Sequence, residues 1–191
     1  LRLPIAHRGL HDRAAGVVEN SRAAVAAAVA AGYGVEIDIQ CAADGEAMVF
    51  HDDALPRLTG APGLVSDHPA GVLAGMKLTG TAEGIPTLAE ILALVAGRTP
   101  LLIEVKDQTG VLGPEVGPLE RRGGARGGGP PRPGGGGAVD PPSVGGLAQA
   151  APSVARGLTS CSFEDADWAL PDYRRAELAN LADAERTGSC F

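Results

Sequence analysis

The feature that most constrains the fold of this chain is a strand-sized run in which aliphatic and acidic residues alternate, Val35-Glu36-Ile37-Asp38-Ile39. Successive side chains of an extended segment point to opposite faces, so Glu36 and Asp38 share one face and the aliphatics the other. A similar layout returns at Pro100 to Lys106, where Leu101-Leu102-Ile103 leads into Glu104-Val105-Lys106, with a carboxylate and an ammonium on one face. Helical text separates such runs. Ser21 to Ala31 is alanine-rich behind a cap at Asn20 or Ser21 and stops at Gly32, and Ile85-Pro86-Thr87-Leu88 opens a helix reaching about Ala96, with Thr87 as its cap. Strands alternating with helices predict a parallel α/β arrangement.

Shorter elements fill in the order. Leu3 to Ala6 reads as a first strand leading into His7, and Ala47 to Phe50 as another that delivers His51 and Asp52, after a turn at Asp44-Gly45 whose chemistry also suits a hairpin. Ala54 to Gly84 reads as a loop with short helical pieces, Ala155 to Ser160 as a strand and Tyr173 to Arg186 as a helix. The stretch 121–146 is dominated by Gly, Pro and Arg and has almost nothing to bury, so no packed strand or helix is expected there. A long structureless insert is uncommon in a compact domain, and GC-rich DNA read out of frame gives text of this kind. We therefore read 121–146 as the product of two compensating frame shifts, which resequencing of the coding DNA would test. The rest is consistent with one domain over 1–191.

Composition narrows the partners. With 45% hydrophobic residues the 191-residue chain can bury one substantial core. Its formal charge of -7 gives no general attraction for nucleic acid or an anionic membrane face, so an anionic substrate must be held by local cations or a metal. No apolar run reaches the roughly 18 residues that span a bilayer, so no stable membrane insertion is expected. Cys41, Cys161 and Cys190 have neither paired number nor CxxC spacing, which points away from a disulfide framework or structural zinc and toward a reducing cytoplasm. A removed leader is compatible with a chain that begins at Leu1.

Polar residues gather at the ends of the strands: His7-Arg8-Gly9, Glu36 with Asp38, His51-Asp52, and Glu104 with Lys106. In a parallel barrel the C-terminal strand ends converge on one rim, which would make these residues neighbours. Glu36, Asp38 and Glu104 suit one hard divalent cation, Mg²⁺ or Ca²⁺, which prefers oxygen donors. Arg8 and Lys106 would share the charge of a bound phosphodiester, and His7 and His51 would serve as general base and acid in either order. Each group taken singly has a plainer reading, as a solvated strand face, a capped turn or an ion pair. Their joint occurrence at successive strand ends favours a site. Glu19 and Asn20 are a helix cap, a support behind the ligands or a substrate-facing pair. His11 and His68 are expected at the surface.

In order and spacing, His7-Arg8-Gly9, Glu19-Asn20-Ser21, Glu36-Ile37-Asp38, Asp44-Gly45, His51-Asp52, Ile85-Pro86-Thr87-Leu88 and Glu104-Val105-Lys106 resemble the glycerophosphodiester phosphodiesterase family. The resemblance covers Leu1 to about Thr109 well and Leu147 to Phe191 loosely. It implies a TIM-type (β/α) barrel, incomplete at its C-terminal end because such barrels take about 250 residues. It also implies one divalent cation and hydrolysis of a small glycerophosphodiester to an alcohol and glycerol 3-phosphate. By the same resemblance Glu36, Asp38 and Glu104 match metal ligands, His7 and His51 the acid/base pair, and Arg8 and Lys106 the phosphate contacts. Departures are Cys41, where threonine is frequent, and the lack of a Ser-Phe-Asn strand and of a closing strand with its Trp. Two other readings stand beside this one: a barrel fragment that binds metal or phosphate without turnover, and lysophospholipid cleavage on the same scaffold with a cyclic phosphate product.

Overall fold

The computed structural model describes residues 4–106 and the strand backbones at 134–138 and 155–158. Strands β1 (Ile5–Ala6), β2 (Gly34–Cys41), β4 (Leu101–Val105), β5 (Gly134–Ala138) and β6 (Ala155–Leu158) form one sheet in the order β1-β2-β4-β5-β6. Every neighbouring pair along that path is parallel. Strand β3 (Ala47–Val49) pairs antiparallel with β2 and lies off the path. Helices α1 (Arg22–Ala30) and α4 (Leu88–Val95) supply the two longest helical segments among the described residues, and α2 (Pro56–Thr59) and α3 (Ala70–Gly75) are short. None of the described helices is long and apolar enough to cross a membrane.

The two-residue period of β2 separates core from site. Val35, Ile37 and Ile39 bury together with Val25 and Ala28 of α1, Ile91 and Val95 of α4, and Leu101 and Val105 of β4. Glu36 and Asp38 are left on the opposite face of the sheet. Both helices begin where the sequence places their caps. Ser21 Oγ accepts from the Ala24 N–H at 3.1 Å, and Thr87 and Glu90 exchange side-chain to backbone hydrogen bonds as a capping box. Arg22 of α1 reaches Glu90 of α4 at 2.7 Å and ties the two helices.

One expectation about the strands is corrected. Residues 121–146 contain a strand, β5, whose sequence Gly134-Gly135-Gly136-Gly137-Ala138 pairs with β4 from Leu101↔Gly134 to Val105↔Ala138. Parallel pairing uses only backbone N–H and C=O groups, so a run without side chains can fill an open edge while showing no hydrophobic period. The strand expected at 47–50 is the return arm of the hairpin that the Asp44-Gly45 turn suits, with Ile39↔Val49 in register. Gly45 turns that hairpin at φ 77°, and its N–H donates to the Ala42 carbonyl at 2.8 Å. The expected helix at 173–186 lies outside the described residues, as do Cys161 and Cys190.

Residues 54–84 form the expected loop with short helical turns, and they cover a second core of Val18, Met48, Phe50, Leu55, Leu58, Val65, Leu73, Leu78 and Ile85. His68, expected at the surface, is half-buried in this segment, and its carbonyl accepts from the Ala43 N–H at 3.0 Å. Gly84 closes the segment against α3 so tightly that an added Cβ would lie 1.8 Å from the Ala74 carbonyl oxygen. Gly84→Ala must therefore move one backbone past another, and we expect a loss of about 3 kcal/mol in urea denaturation. An unchanged midpoint would mean that this contact relaxes freely.

Candidate functional site

The sheet register brings the acids together. Asp38 pairs with Glu104 across β2 and β4, and Glu36 lies two residues earlier on the same face. One carboxylate oxygen from each of Glu36, Asp38 and Glu104 lies within 4.8 Å of the others. Glu36 and Asp38 are buried and Glu104 half-buried.

Burial sets the electrostatics of this group. It pushes the Glu36 carboxyl up to about 7, opposed by the Arg8 N–H and reinforced by the Asp38 and Glu104 carboxylates. The Arg8 N–H donates to Glu36 Oε2 at 2.8 Å from a left-handed backbone, φ 56°. Gly9 follows at φ 79°, and a Cβ there would meet the Ala24 backbone at 2.8 Å, so the chain turns from β1 into the site only with glycine at this point. Asn20, also left-handed at φ 56°, clasps Asp38: its Nδ2 donates to Oδ2 at 2.9 Å and its Oδ1 accepts from the Asp38 N–H at 3.3 Å. The helix cap is Ser21, which leaves Asn20 as a holder of Asp38.

The two cations expected to meet phosphate lie against the acids. Lys106 Nζ is 2.8 Å from Asp38 Oδ1 and also contacts Glu104. Ion pairing with those two carboxylates raises its pKa against the effect of burial, which is the largest single influence. Arg8 Nη1 donates to Glu19 at 3.0 Å, and its Nε stands 3.4 Å from Asp38 Oδ2.

Whether these acids suit a cation can be judged from what they lack. Glu36 Oε1 and Asp38 Oδ1 are buried and receive no directed hydrogen bond among the described residues. Asp38 Oδ1 has the Lys106 ion pair, whereas Glu36 Oε1 has no hydrogen-bond partner among the described residues. A buried oxygen without a donor is costly, and a divalent cation with oxygen ligands would satisfy it. The donor set fits Mg²⁺ or Ca²⁺.

The histidines differ in setting. His7 follows β1, is exposed, and brings Nε2 to 4.0 Å from Glu36 Oε2. Its pKa is lowered, first by burial of part of its ring and then by the Arg8 charge. His51 comes from the hairpin, where the Phe50 N–H donates to the Asp38 carbonyl at 3.1 Å and Gln40 Nε2 donates to the His51 carbonyl at 3.0 Å. His51 Nδ1 is 2.7 Å from Asp52 Oδ1. Hydrogen bonding from Arg57 holds Asp52 down at about 2, so at neutral pH Asp52 only accepts and His51 Nδ1 must be the donor. His51 Nε2 is then the free nitrogen.

Sequence reasoning did not single out Gln40 or Arg57. Gln40 shares the inward face of β2 with Glu36 and Asp38, a two-residue period that could have marked it. Arg57 carries no such signal, being brought to Asp52 and Glu19 by the turn into α2. Hydrogen bonds from Arg57 also hold Glu19 at about 2, against burial and with help from Arg8. Folded values below the unfolded 4.5 and 3.8 of Glu19 and Asp52 stabilise the fold above those values, and that stability is lost as pH falls toward 2. Thermal melts are expected to show a destabilisation across this window that Arg57→Gln flattens; an identical slope in both proteins would count against the pairing.

A glycerophosphodiester phosphodiesterase of Caldanaerobacter subterraneus subsp. tengcongensis is 35% identical over 119 residues, 58% of this chain and 46% of the relative. One from Bacillus altitudinis is 35% identical over 109 residues, 53% of this chain and 43% of the relative. The chain thus spans about half the length of the curated relatives it matches. Among solved structures, a phosphodiesterase of Oleispira antarctica in complex with the product sn-glycerol-3-phosphate has a TM-score of 0.74 at 23% identity, covering 99% of this chain and 82% of that one. A Thermotoga maritima glycerophosphodiester phosphodiesterase has a TM-score of 0.66 at 22% identity, covering 94% and 71%. These likenesses fix the α/β fold as that of the TIM-barrel phosphodiesterases, of which the described residues supply a partial parallel sheet. The glycerophosphoryl diester phosphodiesterase family profile matches residues 7–122, more than half of the chain and all of the polar cluster described above, and the chain belongs to that family.

Proposed function

We propose that the chain hydrolyses a small glycerophosphodiester to an alcohol and glycerol 3-phosphate with the help of one divalent cation. The observation that carries this reading is the convergence of Glu36, Asp38 and Glu104 within 4.8 Å, with a donorless buried oxygen on Glu36 and His7 at 4.0 Å from the same side chain. Glu36, Asp38 and Glu104 would hold the cation, which when bound would supply positive charge to the phosphoryl oxygens. Arg8 and Lys106 stand beside the same carboxylates and would bind and orient the phosphodiester, adding charge stabilisation as negative charge builds. His7 and His51 would divide proton transfer, one taking a proton from water and the other giving one to the departing alkoxide. His51 would act through Nε2, because Asp52 fixes the proton on Nδ1. Glu19 and Asn20 would hold Arg8 and Asp38 in place.

The Oleispira relative's complex with sn-glycerol-3-phosphate supports that product class. We further propose a single barrel domain over 1–191, a cytoplasmic setting supported by the cysteine pattern, and no nucleic-acid partner given the charge of -7. The test is release of glycerol 3-phosphate from glycerophosphocholine, abolished by chelator and restored by Mg²⁺ or Ca²⁺. Cation binding without turnover would support a binding-only fragment, and a cyclic phosphate seen by phosphorus NMR would support lysophospholipid-type cleavage.

A further inference from the structure

Arg57 makes four hydrogen bonds to two carboxylates that belong to different parts of the chain. Its Nε and Nη2 donate to Asp52 at 2.5 and 2.9 Å, and its Nη1 and Nη2 donate to Glu19 at 3.1 and 2.8 Å. Each carboxylate is already engaged elsewhere. Asp52 receives His51 Nδ1 at 2.7 Å, and Glu19 receives Arg8 Nη1 at 3.0 Å. Arg8 in turn faces Asp38, and Asp38 faces Lys106. The result is an unbroken run of alternating charge, Lys106, Asp38, Arg8, Glu19, Arg57, Asp52, that ends on His51, in which Arg57 is the link between the acid cluster and the hairpin histidine.

We propose that Arg57 is a positioning residue that sets the geometry of both working flanks, holding Asp52 on His51 and Glu19 on Arg8. The inference rests on the reading of His51 and Arg8 as working groups of the phosphodiesterase site. A planar guanidinium can present parallel N–H pairs to two carboxylates at once, which a single ammonium cannot. Without Arg57 the two carboxylates lose the cation they share, Asp52 is no longer held on His51, and the imidazole loses the partner that keeps its proton on Nδ1. The side chain of Arg57 is 42% exposed, so solvent screens the stability its ion pairs add, whereas the tautomer of His51 responds to geometry alone. Those two consequences separate positioning from a merely structural role.

The experiment compares the full chain with Arg57→Gln and Arg57→Lys in the presence of Mg²⁺. Nitrogen-15 NMR of the imidazoles, with His51 assigned through His51→Gln, is expected to show His51 as the Nδ1–H tautomer in the wild type and as a mixture in Arg57→Gln. Turnover of glycerophosphocholine is expected to fall about 10–100-fold in kcat with KM nearly constant, and Arg57→Lys is expected to fall between the two. Thermal melts at neutral pH should show a modest loss of stability in Arg57→Gln, the same loss that flattens its acid slope, whereas the tautomer ratio reads positioning alone. A wild-type His51 spectrum in Arg57→Gln, or a kcat unchanged by it, would overturn the proposal. If the wild type turns nothing over, the hydrolase reading fails while the tautomer measurement still decides the role of Arg57. Should Arg57→Gln fail to fold, the His51 spectrum of Arg57→Lys decides in its place.

Discussion

Glu36→Gln is expected to abolish divalent-cation binding and cut turnover by about 10³-fold, while leaving the cation-free protein at least as stable as the wild type near neutral pH. The opposite signs follow from the same geometry. Glu36 is buried beside Asp38 and Glu104, and its Oε1 has no donor among the described residues. Its folded pKa of about 7 lies above the ordinary 4.5, so the folded protein binds a proton more tightly than the unfolded chain. That contribution to stability is complete below 4.5 and is lost as pH rises through about 7. Glutamine is neutral at every pH and keeps an oxygen for the Arg8 N–H, so the chelated variant should lose the decline with pH that the chelated wild type shows. Isothermal titration with Mg²⁺ and Ca²⁺, together with melts with and without chelator, measures both halves. Retained cation affinity in Glu36→Gln would remove this residue from the ligand set.

His51→Gln is expected to lower kcat by about 10²–10⁴-fold, with cation affinity unchanged. The backbone of His51 is anchored independently of its ring, through the Gln40 donation to its carbonyl and the Phe50 N–H on the Asp38 carbonyl, so the hairpin should survive the substitution. What is lost is the one ring nitrogen that Asp52 leaves free. Steady-state kinetics and a cation titration on the same sample separate the two quantities. A variant that turns over at the wild-type rate would exclude His51 from proton transfer, and one that lost the cation would show the histidine to be part of the binding site.

Much of this site was legible before any coordinates. Glu36 and Asp38 were assigned to one face by the period of β2, and Glu104 to an equivalent place on β4; their meeting needed only a parallel register, which Asp38↔Glu104 supplies. Caps at Ser21 and Thr87 were legible because a hydroxyl before a helical run satisfies orphan N–H groups locally. β5 was not legible, because four glycines and an alanine carry no side-chain pattern and their pairing is decided by the free edge of β4. Arg57 was not legible either, because the partners of an arginine on the one-turn helix α2 are set only when the 54–84 segment folds against Glu19.

The alternation of strands and helices, the face on which the acids stand and the kinship carried by the ordered motifs can all be read from the residues in order, since each depends on spacing along the chain. Only the folded chain shows that Asn20 clasps Asp38 and that Arg57 joins two flanks remote in sequence. The physical reason is range: side-chain direction repeats every two residues within a strand, whereas partners of buried and bridging charges are fixed by long-range packing that no local pattern encodes.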